Sequence, residues 1–399
     1  MRRIMLCLDG TWNHPAQSQE KADGARVFRP TNILKIARML RPRGVDGVEH
    51  LIYYDTGVGA GAQYPGRDNR ILRWLDQKLG GAWGAGFEGN VEDAYRFLAH
   101  NLQPDDEVYL FGYSRGAAQA HALCSFIDWM QGGIPDKKDT FFVSEFYYRY
   151  LKAKGDPSAF EITKRDIEQR GQPQTLLPFR TVNITYLGAC DTVFALGSRI
   201  RADRASSDDG RAFQFRDSLP RCIAKARHAL AIDEMRYDFS PAVWRDAGAD
   251  TDMLQMWFPG GHGNIGGGRR EDGLANNVLR WILDESGLTH DHYDDSFLSF
   301  YNAWPYAELD DSLSLHWRLR RPSALLNKDN ARRRIHVYPE TANFDVADFA
   351  FSRLKKGGKT QGGDNAPYQP VNLLRYLAQH KERYAGKLTP ALTKVLERF

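Results

Sequence analysis

Long apolar runs are missing from this chain. None of its 399 residues belongs to a stretch approaching the roughly twenty apolar residues that a membrane-spanning helix needs. At the N-terminus, Met1-Arg-Arg-Ile-Met-Leu-Cys-Leu-Asp9 offers five consecutive apolar residues before an aspartate, which predicts a strand and not a signal peptide. The expectation is a protein made in the cytoplasm, with any export left to a machine that reads no N-terminal signal. Cysteine is scarce: Cys7, Cys124, Cys190 and Cys222 are far apart and sit mostly in apolar runs. A disulfide framework and a zinc site are both excluded by that spacing, leaving buried small hydrophobes. Charge is nearly balanced at +4, too slight for nucleic-acid binding although no barrier to an anionic membrane surface. Hydrophobic and charged fractions of 42% and 26% are ordinary for a globular enzyme. Aromatics, by contrast, are plentiful, with nine Trp, 18 Tyr and 21 Phe.

The most informative stretch runs from Glu107 to Leu123. Glu107 to Phe111 has the apolar, β-branched and aromatic bias of a buried strand. Gly112-Tyr113-Ser114-Arg115-Gly116 follows, and then an alanine-rich segment of high helix propensity. Strand, sharp turn and helix with G-x-S-x-G at the turn is the context a nucleophile elbow requires: the glycines allow close backbone packing around a strained serine. Ser114 is therefore the candidate nucleophile, at the positive end of the following helix, and the Arg115 amide is one candidate oxyanion donor.

Upstream, the strand Ile4 to Leu8 ends in Asp9-Gly10-Thr11. This resembles the opening motif of haloacid dehalogenase phosphatases, but those need an Asp where Cys7 stands, so that chemistry is excluded. The Gly10-Thr11 turn is instead expected to supply the second oxyanion amide. Thr31 to Leu40 reads as a helix with its cap at Thr31 or Asn32, and Glu49 to Tyr54 as a strand ending in Asp55-Thr-Gly57-Val-Gly59. Gly84-Ala-Gly86-Phe-Glu-Gly89 matches a dinucleotide fingerprint, yet the residues before it, Ile71 to Leu79, have helical and not strand period. A glycine loop leading into a helix from Asn90 to Leu102 is expected there, and no cofactor.

Beyond the elbow helix, Gln131-Gly-Gly-Ile-Pro breaks the pattern and opens an insertion spanning about 131–180. Its aromatic helix, Phe141 to Leu151, has two readings: a face packed into the core, which such stripes usually are, or a lid over a lipid-binding cleft. The strand Thr181 to Gly188 ends at Ala189-Cys190-Asp191, where the third member of a triad belongs. Pro220 to Ile232 reads as a helix carrying His228, taken as structural. Thr251 to Phe258 is a strand leading into Pro259-Gly-Gly-His262-Gly-Asn-Ile-Gly-Gly-Gly268, where glycines let a ligand approach the backbone. No ligand set for a metal stands near His262. A helix from Leu274 to Leu283 follows. Past Ser286 the pattern weakens; Ile335 to Tyr338 reads as a short strand, and Leu325 to Asp364, with its basic runs, as peripheral. One domain is expected, 1–285, with 286–399 as an extension packed on it.

Ser114, Asp191 and His262 occur in the chain order of the α/β-hydrolase fold, which implies a mostly parallel sheet flanked by helices. His262 would act as general base and Asp191 would orient its ring; Asp233 and Asp252 remain alternatives to Asp191.

Taken in order, Leu8-Asp-Gly-Thr-Trp-Asn13, Gly57-Val-Gly59, Tyr109 to Ala117, Cys190-Asp-Thr-Val193, Arg227 to Glu234 and Trp257 to Gly268 form a set. This set resembles the α/β-hydrolase domain of type VI secretion phospholipase effectors and their uncharacterised relatives, over roughly residues 1–282. The resemblance implies Ser114, Asp191 and His262 as triad, a lipid substrate, peripheral membrane contact, and an immunity or secretion partner. The histidine loop differs from the family's form, with Gly261 before the histidine and Gly263-Asn264 after it where a bulkier residue and Ser-Asp are expected. Three functions follow: a phospholipase or lipase, a soluble carboxylesterase or thioesterase acting on small acyl compounds, and an inactive interaction module. Retention of all three triad residues and both elbow glycines argues against the last.

Overall fold

A computed structural model describes residues 1–10, 13, 18–20, 26–57, 82–170, 179–193, 215–236, 239–312, 332–360 and 363–399. At its centre lie seven strands: β1 (Arg3–Leu8), β2 (His50–Asp55), β3 (Glu107–Tyr113), β4 (Ile184–Cys190), β5 (Lys225–Ala231), β6 (Asp252–Phe258) and β7 (Phe344–Val346). They pair in the order β7-β6-β5-β4-β3-β1-β2 and every pair is parallel. Parallel strands need crossover connections that cover both faces with helices, so the strands must be apolar on both sides. β1 shows the result: Ile4, Leu6 and Leu8 join the core on one face while Met5 and Cys7 join the core on the other. This is an α/β-hydrolase-type architecture.

The helices flanking the sheet are α1 (Asn32–Met39), α2 (Ala82–Asn101), α3 (Arg115–Trp129) and α6 (Gly273–Ser286), with α4 (Val143–Lys152) and α5 (Ser158–Gln169) in the insertion and α7 (Val371–Gln379) near the C-terminus. Thr31 caps α1 by accepting the Leu34 N–H at 3.1 Å, which fixes where the helix starts. The strand order reverses at β1: β2 lies on one side of it and β3 on the other. In open parallel sheets the crevice at such a reversal, outside the carboxyl ends of the strands, is where ligands bind. Gly10 and Ser114 follow β1 and β3 there.

The insertion's aromatic face belongs to the core. Phe146, Tyr147 and Tyr150 are buried, with Tyr147 and Tyr150 against Phe126 of α3 and Tyr150 also against Trp129. Phe126 and Trp129 stand about 18 to 22 Å along α3 from Ser114, at 1.5 Å per residue. The insertion is rooted by a short pair, Gly133–Ile134 with Arg180–Thr181, and Arg180 donates to the carbonyls of Ala99, Leu102 and Pro135, near where β3 begins. It is thus anchored at the opposite end of the sheet from the crevice, which favours core packing over a lid.

Several expectations need correction. Pro220 to Ile232 is not a helix; Lys225–Ala231 is β5, a central strand. Its alanines have helix propensity, but tertiary pairing overrides it, and the polar side chains that break a strand pattern are satisfied internally. Arg227 pairs with Asp252 at 2.6 Å and Glu285 at 2.6 Å. Ile335–Val337 is a single 3₁₀ turn, and the edge strand of this region is Phe344–Val346. Gly84, Gly86 and Gly89 lie within α2 and form no loop. Nor is the segment after 331 peripheral: it supplies β7 and a third core in which Trp257 packs with Phe344, Leu373 and Leu374. The helical period of Ile71 to Leu79 falls outside the described residues. Among the described residues, no helix is long and apolar enough to cross a membrane.

Candidate active site

β3 ends at Tyr113 and α3 begins at Arg115, leaving a single residue, Ser114, to turn the chain. Its φ of 57° and ψ of −120° are unfavourable for a residue with a Cβ, and strain of this kind costs on the order of 1–3 kcal/mol. The neighbouring glycines make the turn sterically feasible. A Cβ on Gly116 would lie 2.1 Å from the Leu8 carbonyl oxygen, and one on Gly112 would lie 2.5 Å from the Ala117 Cα. Neither site admits a side chain. The Ser114 N–H is held by the Cys190 carbonyl at 2.9 Å, which ties the elbow to the end of β4.

Asp191, immediately after β4, also has a positive φ, at 45°. Its N–H donates to the Ala229 carbonyl at 2.7 Å, and its Oδ1 accepts the Ala231 N–H at 3.0 Å. The carboxylate therefore points toward the loop after β6. That loop passes through Gly260 into one turn of helix, His262–Gly266. Ser114 Oγ donates to His262 Nε2 at 2.9 Å, and His262 Nδ1 donates to Asp191 Oδ2 at 2.6 Å. The serine, histidine and aspartate picked from the sequence thus form one continuous hydrogen-bonded chain. All three are buried. Burial lowers the His262 pKa below its ordinary value, against the opposing pull of Asp191, so the ring is neutral at pH 7 and able to accept a proton.

Burial alone would raise the Asp191 carboxyl, but the Arg333 guanidinium and the His262 ring overcome it and hold the group well below the usual carboxylate range. Arg333 was not singled out in the sequence. Its Nη1 reaches Asp191 Oδ1 at 2.5 Å and its Nη2 reaches Oδ2 at 3.0 Å, while the same side chain donates to the Ala231 and Phe239 carbonyls. One residue in a run of three arginines carries no signal of this role.

Asp233 and Asp252, the alternatives to Asp191, lie elsewhere. Asp252 pairs with Arg227 at the amino end of β6, away from the crevice. Asp233 accepts the Gly260 N–H at 2.8 Å, the Tyr368 hydroxyl at 2.8 Å and Arg332 at 2.8 Å. Beside it, Glu234 accepts the His262 N–H at 3.1 Å. Burial works against the Glu234 carboxylate but Arg236 outweighs it, bringing its pKa to about 2. The two carboxylates thus hold the backbone on either side of Gly261. Asn264 Oδ1 closes the loop by accepting the Gly261 and Asp310 N–H groups, both at 3.1 Å. Here an amide oxygen does the work expected of an aspartate at that position.

His228 sits in the middle of β5, buried and driven by burial to a pKa of about 4. Its Nε2 accepts the Thr192 N–H at 3.0 Å and its Nδ1 bonds Gln255 Oε1 at 3.2 Å, so it braces the Asp191 turn and stays neutral. The His262 ring lies between Tyr113, 4.8 Å away centroid to centroid, and Phe239, 5.0 Å away.

The oxyanion positions are less complete. Arg115 is the first residue of α3, directly after Ser114. Gly10 abuts the nucleophile, since a Cβ on it would lie 3.1 Å from Ser114 Cβ. Its N–H, however, donates to Asp9 Oδ1 at 2.7 Å. Thr11 lies outside the described residues. Asp9 itself is buried, which raises its pKa to about 6 despite donors from Thr31 and Tyr54. Among the described residues, no group of three or more His, Cys, Asp or Glu is arranged to hold a metal ion.

A family model described as "T6SS, Phospholipase effector Tle1-like, catalytic domain" matches residues 2–285. An uncharacterized protein of Saccharomyces cerevisiae is 27% identical over 241 residues, covering 60% of this chain and 32% of the yeast protein. Among solved structures, that of the Tle1 effector bound to the VgrG spike of the type 6 secretion system aligns with a TM-score of 0.35 at 17% identity, over 66% of this chain and 50% of that one. An uncharacterized protein from Pseudomonas aeruginosa aligns with a TM-score of 0.38 at 15% identity, over all of this chain and 61% of that one. The chain spans about a third of the length of the yeast relative and half to three-fifths of those solved chains.

Proposed function

Because the chain belongs to the Tle1-like family of type VI secretion phospholipase effectors, we propose that it is a phospholipase that cleaves a carboxylic ester of a membrane lipid through an acyl-enzyme on Ser114. The observation carrying this reading is the hydrogen-bonded chain from Ser114 through His262 to Asp191 at the sheet's carboxyl edge. His262 Nε2 takes the Ser114 proton as Oγ attacks the ester carbonyl, and Asp191 stabilises the imidazolium that forms. The Arg115 N–H and an amide of the Gly10-Thr11 turn are the groups assigned to the oxyanion. Collapse of the tetrahedral intermediate expels the alcohol, which leaves with the proton from His262. Water, deprotonated by the same nitrogen, then attacks the acyl-enzyme, releasing the fatty acid and restoring Ser114. Every step uses groups of this chain, and no cofactor is assigned. Residues 1–285 are proposed as the catalytic domain, with 286–399 packed on it. As a family member, it would reach its target membrane through a secretion machine that reads no N-terminal signal, with a spike or immunity protein as partner.

The test is fatty-acid release from defined phospholipid vesicles beside hydrolysis of a short p-nitrophenyl ester, for wild type and Ser114→Ala. Release from vesicles, abolished in the variant, is the expected result. Hydrolysis of the short ester alone would replace a lipid with a small acyl substrate. No turnover of either, with no labelling of Ser114 by a fluorophosphonate, would refute the enzyme reading.

A further inference from the structure

Arg333 lies beyond residues 2–285, the part of the chain that the family model matches, yet its guanidinium pairs directly with the Asp191 carboxylate at 2.5 Å. Both its terminal nitrogens meet the Asp191 carboxylate, one oxygen each, in the paired geometry that only a guanidinium offers. The side chain is almost wholly buried, with 4% of its surface exposed, and Asp191 has none. Its position is fixed by the Ala231 and Phe239 carbonyls, so it is not a surface arginine that has swung inward.

We infer that Arg333 is a positioning residue of the triad, one that clamps both oxygens of Asp191 so that a segment outside the matched catalytic domain completes the active site. The inference rests on the triad reading given above. Without Arg333 the carboxylate would be held by one bond at each oxygen, from the Ala231 N–H and from His262. The Arg333 fork adds a second bond to each and stiffens the direction in which the imidazole Nδ1–H must point. The clamp also has an electrostatic effect. A permanent cation on Asp191 competes with the imidazolium for the same negative charge, so His262 remains neutral to lower pH than it would beside an unclamped aspartate. Other charged and titratable groups facing the ring are Glu234, with its partner Arg236, and the Tyr113 hydroxyl, which donates to the His262 carbonyl at 3.2 Å. None of them touches Asp191 in the contacts described above. Arg333 therefore acts on the histidine through the aspartate.

The experiment uses the full chain with Arg333→Met and Arg333→Lys, following kcat and KM on a short p-nitrophenyl ester across pH, with thermal melting as a folding control. Arg333→Met is expected to lose on the order of 10²-fold in kcat, the scale of a misplaced catalytic group, with KM little changed. Its acid limb should move up by about one pH unit, the shift expected from removing a charge a few ångströms away in a partly screened site. Millimolar guanidinium ion should restore part of the rate to Arg333→Met and none to wild type. Arg333→Lys keeps the charge without the fork, so it should hold the acid limb near its wild-type position while losing rate. A folded Arg333→Met with wild-type kcat and an unmoved acid limb would overturn the inference. Should that variant fail to fold, a wild-type kcat in Arg333→Lys overturns it equally, because an ammonium lacks the two parallel bonds of the planar fork. If instead Asp191→Asn retains full activity, the triad reading falls and takes the clamp with it.

Discussion

Asp191→Asn tests two separate consequences of the same buried contact. The substitution preserves shape, so the amide oxygen still accepts the Ala231 N–H and one Arg333 N–H. The amide nitrogen takes the place of Oδ2, where the carboxylate had accepted from His262 Nδ1 at 2.6 Å. A donor now faces a donor, and the imidazole relieves this by carrying its proton on Nε2. That nitrogen can then no longer accept from Ser114 Oγ, 2.9 Å away. A triad locked in the wrong tautomer loses about 10⁴ in kcat, or roughly 5 kcal/mol of transition-state stabilisation. The second consequence concerns folding. Arg333, with 4% of its side chain exposed, keeps its charge but loses the counter-charge, and orphaning one partner of a buried pair costs about 3–5 kcal/mol. Turnover of a short ester at pH 8 and a thermal melt read these two effects independently. Adding Arg333→Met to Asp191→Asn removes the orphaned cation, so the double variant should regain melting temperature without regaining rate. A single variant within tenfold of wild-type kcat would refute the triad assignment. One that melts with wild type would refute the claim that Arg333 depends on Asp191.

Gly116→Ala should yield little folded protein, because its Cβ would stand 2.1 Å from one main-chain oxygen of β1 and 2.5 Å from the next; Gly89→Ala, with nothing within 4 Å, should gain about 0.5–1 kcal/mol in a chemical-denaturation curve. The acid limb of kcat/KM should lie below the ordinary histidine value of about 6.5, since His262 must be neutral to act and burial lowers its pKa; a limb above 7 would contradict the buried geometry. Asp9 has a folded pKa raised to about 6, so its contribution to stability is present in full at low pH and is lost as pH rises from about 4 to 6. Relative to wild type, Asp9→Asn should therefore gain roughly 2–3 kcal/mol between pH 4 and pH 7, read from denaturation at both; a difference that stays constant with pH would show that Asp9 is ionised throughout.

What could be read from the sequence was what is local. The elbow announces itself because a strand, a strained residue and a helix are consecutive, and the steric need for Gly112 arises at Ala117 within the same turn; the need for Gly116 arises at Leu8 and Asp9, on the neighbouring strand's end. The β1 to β4 strands and β6 carry their own apolar signature. β5 does not, since Arg227 and His228 interrupt it, and their partners (Asp252, Glu285, Thr192 and Gln255) come from other elements. For β7 the reason differs: three residues are too few to show a period. Arg333 is the extreme case. Within Arg332-Arg333-Arg334 nothing distinguishes the residue on Asp191 from its neighbour on Asp233, because the distinction is made by the fold 142 residues away.

The pairs around the histidine loop have a further physical meaning. Asp191 with Arg333, Asp233 with Arg332 and Glu234 with Arg236 place three carboxylates, each with an arginine, against one short loop. Buried ion pairs are weak contributors to stability, because desolvation offsets most of the attraction. Their value here is directional. Asp233 and Glu234 fix the Gly260 and His262 amides, and Asp191 fixes the imidazole, so charge-assisted bonds set much of the loop's path and, together with the Tyr113 and Phe239 rings, the ring's orientation. A loop with glycine at positions 260, 261, 263, 266, 267 and 268 has few side chains with which to pack. Glycine lets the loop pass close to its neighbours, since a Cβ on Gly266 would lie 2.0 Å from the Tyr113 ring, and the surrounding carboxylates supply the rigidity that glycine removes. Two of the three arginines, Arg332 and Arg333, come from beyond residue 285, so by this argument the C-terminal segment is needed for the precision of the site as well as for the edge of the sheet.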